Sequence, residues 1–290
     1  MSRIVKKFTS AIAVFAISTI VLSGCGAGNG SSNTSKEATA DNPRIINAAT
    51  GGSPAPFILK TTDGGLEGQN YDLLNAIFDK LPQYKLKWNT VEFSAIFTGL
   101  DAGRYQIGVN NIAKNKEREA KYLYSDPIYV DRYAIEVAND SDLVNKKITS
   151  LGDLAGYTAL LDSGTNTALA VENWNKANPD KQIKTKYVGT GSDLTSKLRN
   201  VENGQADFAI DDVPIFNYYK KKVGLQLTGI DAGDEFTKSL GNDAYCYVIF
   251  PKGEEQLAKD VNKALKELFK DGTSTKLNNK WFGTDLTPKE

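Results

Sequence analysis

Apolar positions along this chain repeat one grammar twice. Arg44-Ile45-Ile46-Asn47-Ala48-Ala49 reads as a strand, and residues 50–56 (TGGSPAP) as the loop at its end. Tyr71, Leu73, Leu74, Ile77, Phe78 and Leu81 then recur at helical spacing, with Pro82 as a stop. A strand over 84–91, a helix over 92–102 with Phe93, Ile96, Phe97 and Leu100 on one side, and a strand over 107–109 complete a β-α-β-α-β order. After residues 151–156 (LGDLAG) the grammar restarts as strand 157–161, loop Asp162-Ser163-Gly164-Thr165, helix 166–176, strand 183–188, helix 193–203 and strand 206–210. Such alternation predicts an α/β fold in two lobes, each a mainly parallel sheet flanked by helices, with ligands at the carboxyl ends of the strands.

Between the repeats, residues 131–138 (DRYAIEVA) form an extended segment able to cross from one lobe to the other. Near the end, Leu257, Val261, Ala264, Leu265, Leu268 and Phe269 trace the stripe of a long helix, with Gly272 just beyond it. A helix holding Leu277, Trp281 and Phe282 closes the chain. Because an apolar strand over 245–250 precedes it, this tail is expected to complete the first lobe rather than build a third. The expected organisation is a first lobe over 43–135, a second over 136–240, and a second hinge strand with return to the first lobe over 241–290. Two crossing strands make a hinge.

Ahead of the lobes, Arg3, Lys6 and Lys7 precede an apolar run over 8–22 that ends in Leu22-Ser23-Gly24-Cys25. A basic start, a short apolar core and small residues predict an export signal over 1–24. The run falls short of the about 20 apolar residues that a permanent span needs. Leu-Ser-Gly-Cys resembles the bacterial lipobox, which implies that Cys25 carries lipid and becomes the new N-terminus. An ordinary secretory signal with an incidental cysteine is the alternative. The segment 25–42 is rich in Gly, Ser, Thr and Asn and reads as a flexible tether.

Removal of the signal leaves 32 basic and 35 acidic residues, a net charge near −3 and no basic footprint for nucleic acid. Histidine is absent, which excludes a Ser-His-Asp triad and removes the commonest metal ligand. No cofactor or metal is expected. The second cysteine, Cys246, sits in an apolar strand and reads as a small core residue.

Arg118 carries the chemistry. Residues 110–117 lead from the strand over 107–109 to this guanidinium, which puts it near the strand's carboxyl end and the edge of the expected cleft. A guanidinium binds a carboxylate through two parallel hydrogen bonds, which suits it to a free amino-acid carboxylate. Residues 99–130 (GLDAGRYQIGVNNIAKNKEREAKYLYSDPIYV) resemble the corresponding segment of the type II periplasmic substrate-binding proteins of amino-acid ABC transporters. Gly68-Gln69-Asn70-Tyr71-Asp72-Leu73, Asp162-Ser163-Gly164-Thr165, the stretch 205–212 (QADFAIDD) and Lys280-Trp281-Phe282-Gly283 are similar to further elements of that family in the same order.

The resemblance implies that Arg118 clamps the ligand carboxylate, helped by backbone N–H groups near Asn111 and Ala113 in the first lobe and by Thr165 and Asn166 in the second. It implies that Asp212 takes the ligand ammonium, with Asp211 as a competitor because neighbours on a strand point to opposite faces. Phe93 matches the aromatic that packs on the ligand's aliphatic part. Asn70 stands where the family usually has Asp and is read as scaffold. Gly51-Gly52-Ser53-Pro54 lacks the acidic residue and aromatic of relatives that bind basic amino acids, and the whole pattern is similar to cystine-binding members. The implied protein is a monomeric, lipid-anchored receptor on the extracytoplasmic face of the bacterial cell membrane, which captures a free amino acid and delivers it to permease subunits. A cyclohexadienyl dehydratase-like enzyme on the same scaffold and a surface adhesin are the rival readings.

Overall fold

In the computed structural model, which describes residues 38–188, 193–241 and 243–289, strand β1 (Arg44–Thr50) opens the first sheet with Ile46, Ala48 and Ala49 wholly buried. A hairpin of β2 (Leu59–Lys60) and β3 (Leu66–Glu67) leads into helix α1 (Gln69–Asp79), whose Leu73, Leu74, Ile77 and Phe78 face the core. Strand β4 (Tyr84–Thr90) lies parallel to β1 along its whole length, from Arg44 against Tyr84 to Thr50 against Thr90. Helix α2 (Phe93–Asp101) returns the chain to β5 (Ile107–Ala113), the other parallel neighbour of β1. Helix α3 (Lys116–Lys121), β6 (Tyr122–Tyr124) and β7 (Tyr129–Val130) end this passage.

The chain then enters a second sheet through β8 (Tyr133–Ala138). Strand β9 (Thr158–Leu161), helix α4 (Asn166–Ala177) and strand β10 (Lys184–Tyr187) form a parallel unit. Helix α5 (Leu194–Glu202), strand β11 (Ala209–Asp212), helix α6 (Val213–Val223), strand β12 (Leu227–Asp231) and helix α7 (Gly233–Ser239) follow. Strand β13 (Tyr245–Pro251) brings the chain back to the first sheet, where helices α8 (Glu255–Lys270) and α9 (Thr273–Phe282) close it. The first sheet has the order β4-β1-β5-β13-β6, with β7 also on β13. The second places β8 between β11 and β12, and a bridge from Ala159 to Phe208 joins the β9–β10 pair to it. Both sheets are mixed: strands joined by helices run parallel, whereas β8 and β13, delivered by the crossings, run against their neighbours.

Each sheet is covered on both faces. Leu73, Leu74 and Ile77 of α1 with Leu257, Val261 and Leu265 of α8 cover one side of the first sheet, and Ile96 and Leu100 of α2 cover the other. Alternation along β8 divides the second core, with Tyr133, Ile135 and Val137 on the α4 and α7 side and Ala134 on the α5 and α6 side. The lobes are closed on one another: Ile215 of α6 is buried in the first lobe's cluster. The two crossings touch where Asp131 N–H donates to Ala244 O at 2.8 Å.

Gly68 fixes how α1 begins. Its φ of 124° is open to glycine alone, and a Cβ there would lie 2.5 Å from Phe57 O and 2.7 Å from Ile58 Cα. Both are backbone atoms, so the strand-to-helix corner would have to move. Gly68→Ala is expected to cost about 3 kcal/mol in urea unfolding; a loss below 0.5 kcal/mol would show that the corner tolerates the shift.

Candidate functional site between the lobes

Asn115 caps α3 by accepting from Arg118 N–H at 2.9 Å, which fixes the first turn and turns the Arg118 side chain into the interlobe contact. There Nη1 donates to Ala113 O at 3.0 Å and Nη2 donates across the lobes to Gly164 O at 3.1 Å. The guanidinium carbon lies 4.7 Å from the ring centre of Phe97 and 5.8 Å from that of Phe93, a cation–π arrangement. Arg118 is only 8% exposed, and burial lowers its pKa, yet an arginine stays charged near neutral pH. Its charge is met by carbonyl dipoles and aromatic faces, which leaves a buried cation matched to an incoming carboxylate.

Strand alternation separates the two adjacent aspartates. Asp211 pairs with Ala134 and Asp212 with Tyr133 across the β11–β8 ladder, so the first faces α5 and the second the first lobe. Asp211 is committed to Lys197, whose Nζ donates to both its oxygens at 2.9 Å and to Asp162 Oδ2 at 2.7 Å. Burial disfavours the Lys197 charge, but Asp211, Asp162 and Glu136 raise its pKa by more. Glu136, wholly buried on the same face, is pushed well above the usual carboxylate range by burial and then by Asp211. The cluster holds the loop 162–165, the loop that presents Gly164 O to Arg118.

Asp212 accepts from Asn111 Nδ2 at 2.8 Å, a side chain of the opposite lobe. Asn111 has a left-handed φ of 55° within β5, and the buried Asn70 holds it there by accepting from its N–H at 2.9 Å. The residue read as scaffold therefore braces the site. Tyr129 hydroxyl and Cys246 Sγ both donate to Asn111 Oδ1. Asp131, Asp212 and Cys246 offer three atoms within 4.8 Å of one another. Burial pushes the Cys246 thiol well above its ordinary pKa, which leaves Asp131 and Asp212 as the acidic groups of this set.

Thr165 caps α4 by accepting from Ala168 N–H at 3.2 Å, and Asn166 opens the helix. Asn166 Oδ1 accepts from Asn115 Nδ2 of the first lobe at 3.2 Å, while its own Nδ2 is buried without a partner. Beside this pair opens a cavity of about 480 Å³, lined among others by Leu169, Trp174 and Leu240. Gly51 N–H donates to Asn110 Oδ1 at 2.8 Å, and a Cβ there would come within 3.1 Å of the same oxygen. Arg118, Asn111, Ala113, Asn166, Asp212 and Phe93 are thus gathered at the closure, with Thr165 one residue behind and Gly51 at the end of β1. Cys25 lies outside the described residues. Sequence reasoning missed Asn115, Lys197 and Asp131; only Asn115, an Asn three residues before Arg118 at a helix start, left a readable signal.

Two α/β lobes closed on a buried cation and a buried carboxylate define a binding protein of the two-lobe periplasmic type. Residues 46–284 match the bacterial extracellular solute-binding proteins, family 3, and the chain belongs to that family. It is 31% identical over 278 residues to the L-cystine-binding protein TcyJ of Bacillus subtilis (strain 168), covering 94% of this chain and 95% of that one. The L-cystine-binding protein TcyK of the same organism is 27% identical over 273 residues, covering 93% and 94%. A solved structure from work on glutathione import via GshT and the cystine ABC importer TcyBC of Streptococcus mutans superimposes with a TM-score of 0.76 at 33% identity, covering 85% of this chain and 98% of that one.

Removing the lysine that neutralises the loop-bearing cluster tests its structural weight. Lys197→Met leaves Asp211, Asp162 and Glu136 without their cation and is expected to cost about 3 kcal/mol in urea unfolding at pH 7. The deficit should shrink at pH 5 as the carboxyls take up protons. A variant as stable as the parent at pH 7 would contradict it.

Proposed function

We propose that this solute-binding protein is a lipid-anchored receptor that captures a free amino acid, L-cystine or another polar one, between its lobes and delivers it to the permease of an ABC importer. The observation that carries the reading is Arg118, a first-lobe guanidinium buried in the cleft and bonded to the second lobe at Gly164 O. A ligand carboxylate arriving there takes over donors now spent on carbonyl oxygens and gains the unpartnered amide of Asn166. Asp212 receives the ammonium, since Asp211 is neutralised by Lys197. Phe93 flanks the ligand's aliphatic part, Asn111, Ala113 and Thr165 line its polar end, and Gly51 leaves room for its side chain. Such a ligand touches both lobes only when they are shut, so its differential affinity favours the closed state that a permease reads.

The lobes fall at 43–135 and 136–240, with 241–290 returning to the first, and the chain works as a monomer on the extracytoplasmic face of the membrane, held by Cys25 through the tether 25–42. The names of the relatives support transport over the dehydratase and adhesin readings, because both B. subtilis proteins are named for binding cystine.

Calorimetry with L-cystine is expected to give one site per chain, and Arg118→Ala to weaken it at least tenfold through loss of a charge-assisted pair. Unchanged affinity in the variant would end the clamp assignment. For the anchor, Cys25→Ser should move the protein from the membrane fraction to the soluble one with ligand affinity intact; a variant that stays with the membrane rules out lipid on this residue.

A further inference from the structure

Asp131 stands beside the cleft with no role in the reading above. It is 3% exposed, and the groups that hydrogen-bond its carboxylate, the Tyr133 hydroxyl and the Cys246 thiol, carry no positive charge. Asp212 is 6% exposed, its Oδ2 accepts from Asn111 Nδ2, and its Oδ1 has no donor among the described residues. The two carboxyls come within 4.8 Å of one another. Asp131 lies two residues before Tyr133, the register partner of Asp212, and Val213 N–H donates to Arg132 O at 2.7 Å. Backbone pairing thus brings the two side chains together independently of the first lobe. Isolated buried carboxylates this close are not both ionised, because neither solvent nor a counter-ion offsets their repulsion. Something positive has to sit with them.

Among the described residues the surroundings supply no such group. Facing the pair are Tyr129 of β7, Tyr133 of β8 and Cys246 of β13, all held in their neutral forms by burial, with Asn111 of β5 uncharged. Asp211, next along β11, is on the opposite face with Lys197. The Arg118 charge acts on Tyr133 and Cys246 from the far side of the cleft.

We propose that Asp131 and Asp212 together form a two-carboxylate seat for the ligand's ammonium, and that in the empty protein this seat holds one proton, which the ammonium displaces into solvent. The inference rests on the reading of the cleft as an amino-acid site. Charge balances on both sides: two carboxylates with one proton carry −1, and two carboxylates with one ammonium carry −1. Burial followed by the Asp131 carboxyl raises the pKa of Asp212 well above the usual range, in keeping with a shared proton. Binding should then release a proton and tighten about tenfold for each pH unit gained until the empty seat ionises by itself. Asp131 is a specificity residue in this scheme: it makes the site demand a full cation where a single aspartate accepts a weaker donor.

The test has two arms. In the ligand-free full chain labelled with ¹³C at aspartate carboxyls, the Asp212 signal is expected to move in a step above the ordinary carboxylate range, and the Asp131→Asn variant to bring that step down. An Asp212 step near pH 4, unchanged in the variant, would overturn the held proton. In calorimetry with L-cystine at pH 7 in phosphate and in Tris, the parent should release close to one proton per ligand and Asp131→Asn close to none. Equal proton counts in the two proteins would overturn the displacement. A parent that binds another amino acid but not cystine overturns only the choice of cystine, and the proton count is read with that amino acid. A parent that binds none overturns the amino-acid reading and the displacement with it, while the carboxyl titration still decides the proton.

Discussion

The closed arrangement depends on one buried cation. Arg118 is fixed at its base by the Asn115 cap and reaches a carbonyl of its own lobe and a carbonyl of the other. Removing a guanidinium from water is costly unless its donors are met, and here backbone dipoles and two aromatic faces meet them in part. A ligand carboxylate in the same place, as proposed, would offer a full opposite charge where the lobes meet through a carbonyl dipole. On that proposal the same donors serve closure and recognition. Such a coupling would turn binding energy into a change of shape rather than mere occupancy.

Around that contact the second lobe is arranged as a rigid wall. Lys197 ties helix α5 to the loop that carries Gly164, and Glu136 and Asp211 complete a buried cluster whose removal in part would leave charges unpaired. On the first lobe Asn70 and Asn110 do comparable work with neutral amides, the first bracing Asn111 and the second bridging Thr50, Gly51 and Ser53. One wall is set by charge and the other by amides, and both hold backbone groups at fixed positions before a ligand arrives.

Much of this was legible in the chain. The β-α-β-α-β order and the stripe of α8 follow from apolar spacing, because helices and strands bury one face each. The separation of Asp211 from Asp212 followed from the period of two along a strand, although which of them faces the cleft needed the β11–β8 register. Antiparallel β8 and β13 were not legible: pairing direction depends on where the crossings enter, and spacing along the chain does not encode it. Lys197 read as one polar residue on a helix and Asp131 as one acid in a crossing, since their weight comes from carboxylates 14 or more residues away.

The placement of the chain ends has a mechanical side. Strand β1 starts in the first sheet and α9 finishes against α1, where Gln69 Nε2 donates to Asn278 Oδ1 at 3.0 Å and Lys280 pairs with Asp72 at 2.7 Å. Pulling on the chain at Arg44 therefore loads one lobe alone, and no force passes through the crossings. On the proposed tethering, the second lobe would lie beyond both crossings from the point of attachment, so its movement would answer to chemistry in the cleft and not to strain on the strand that leads into the fold.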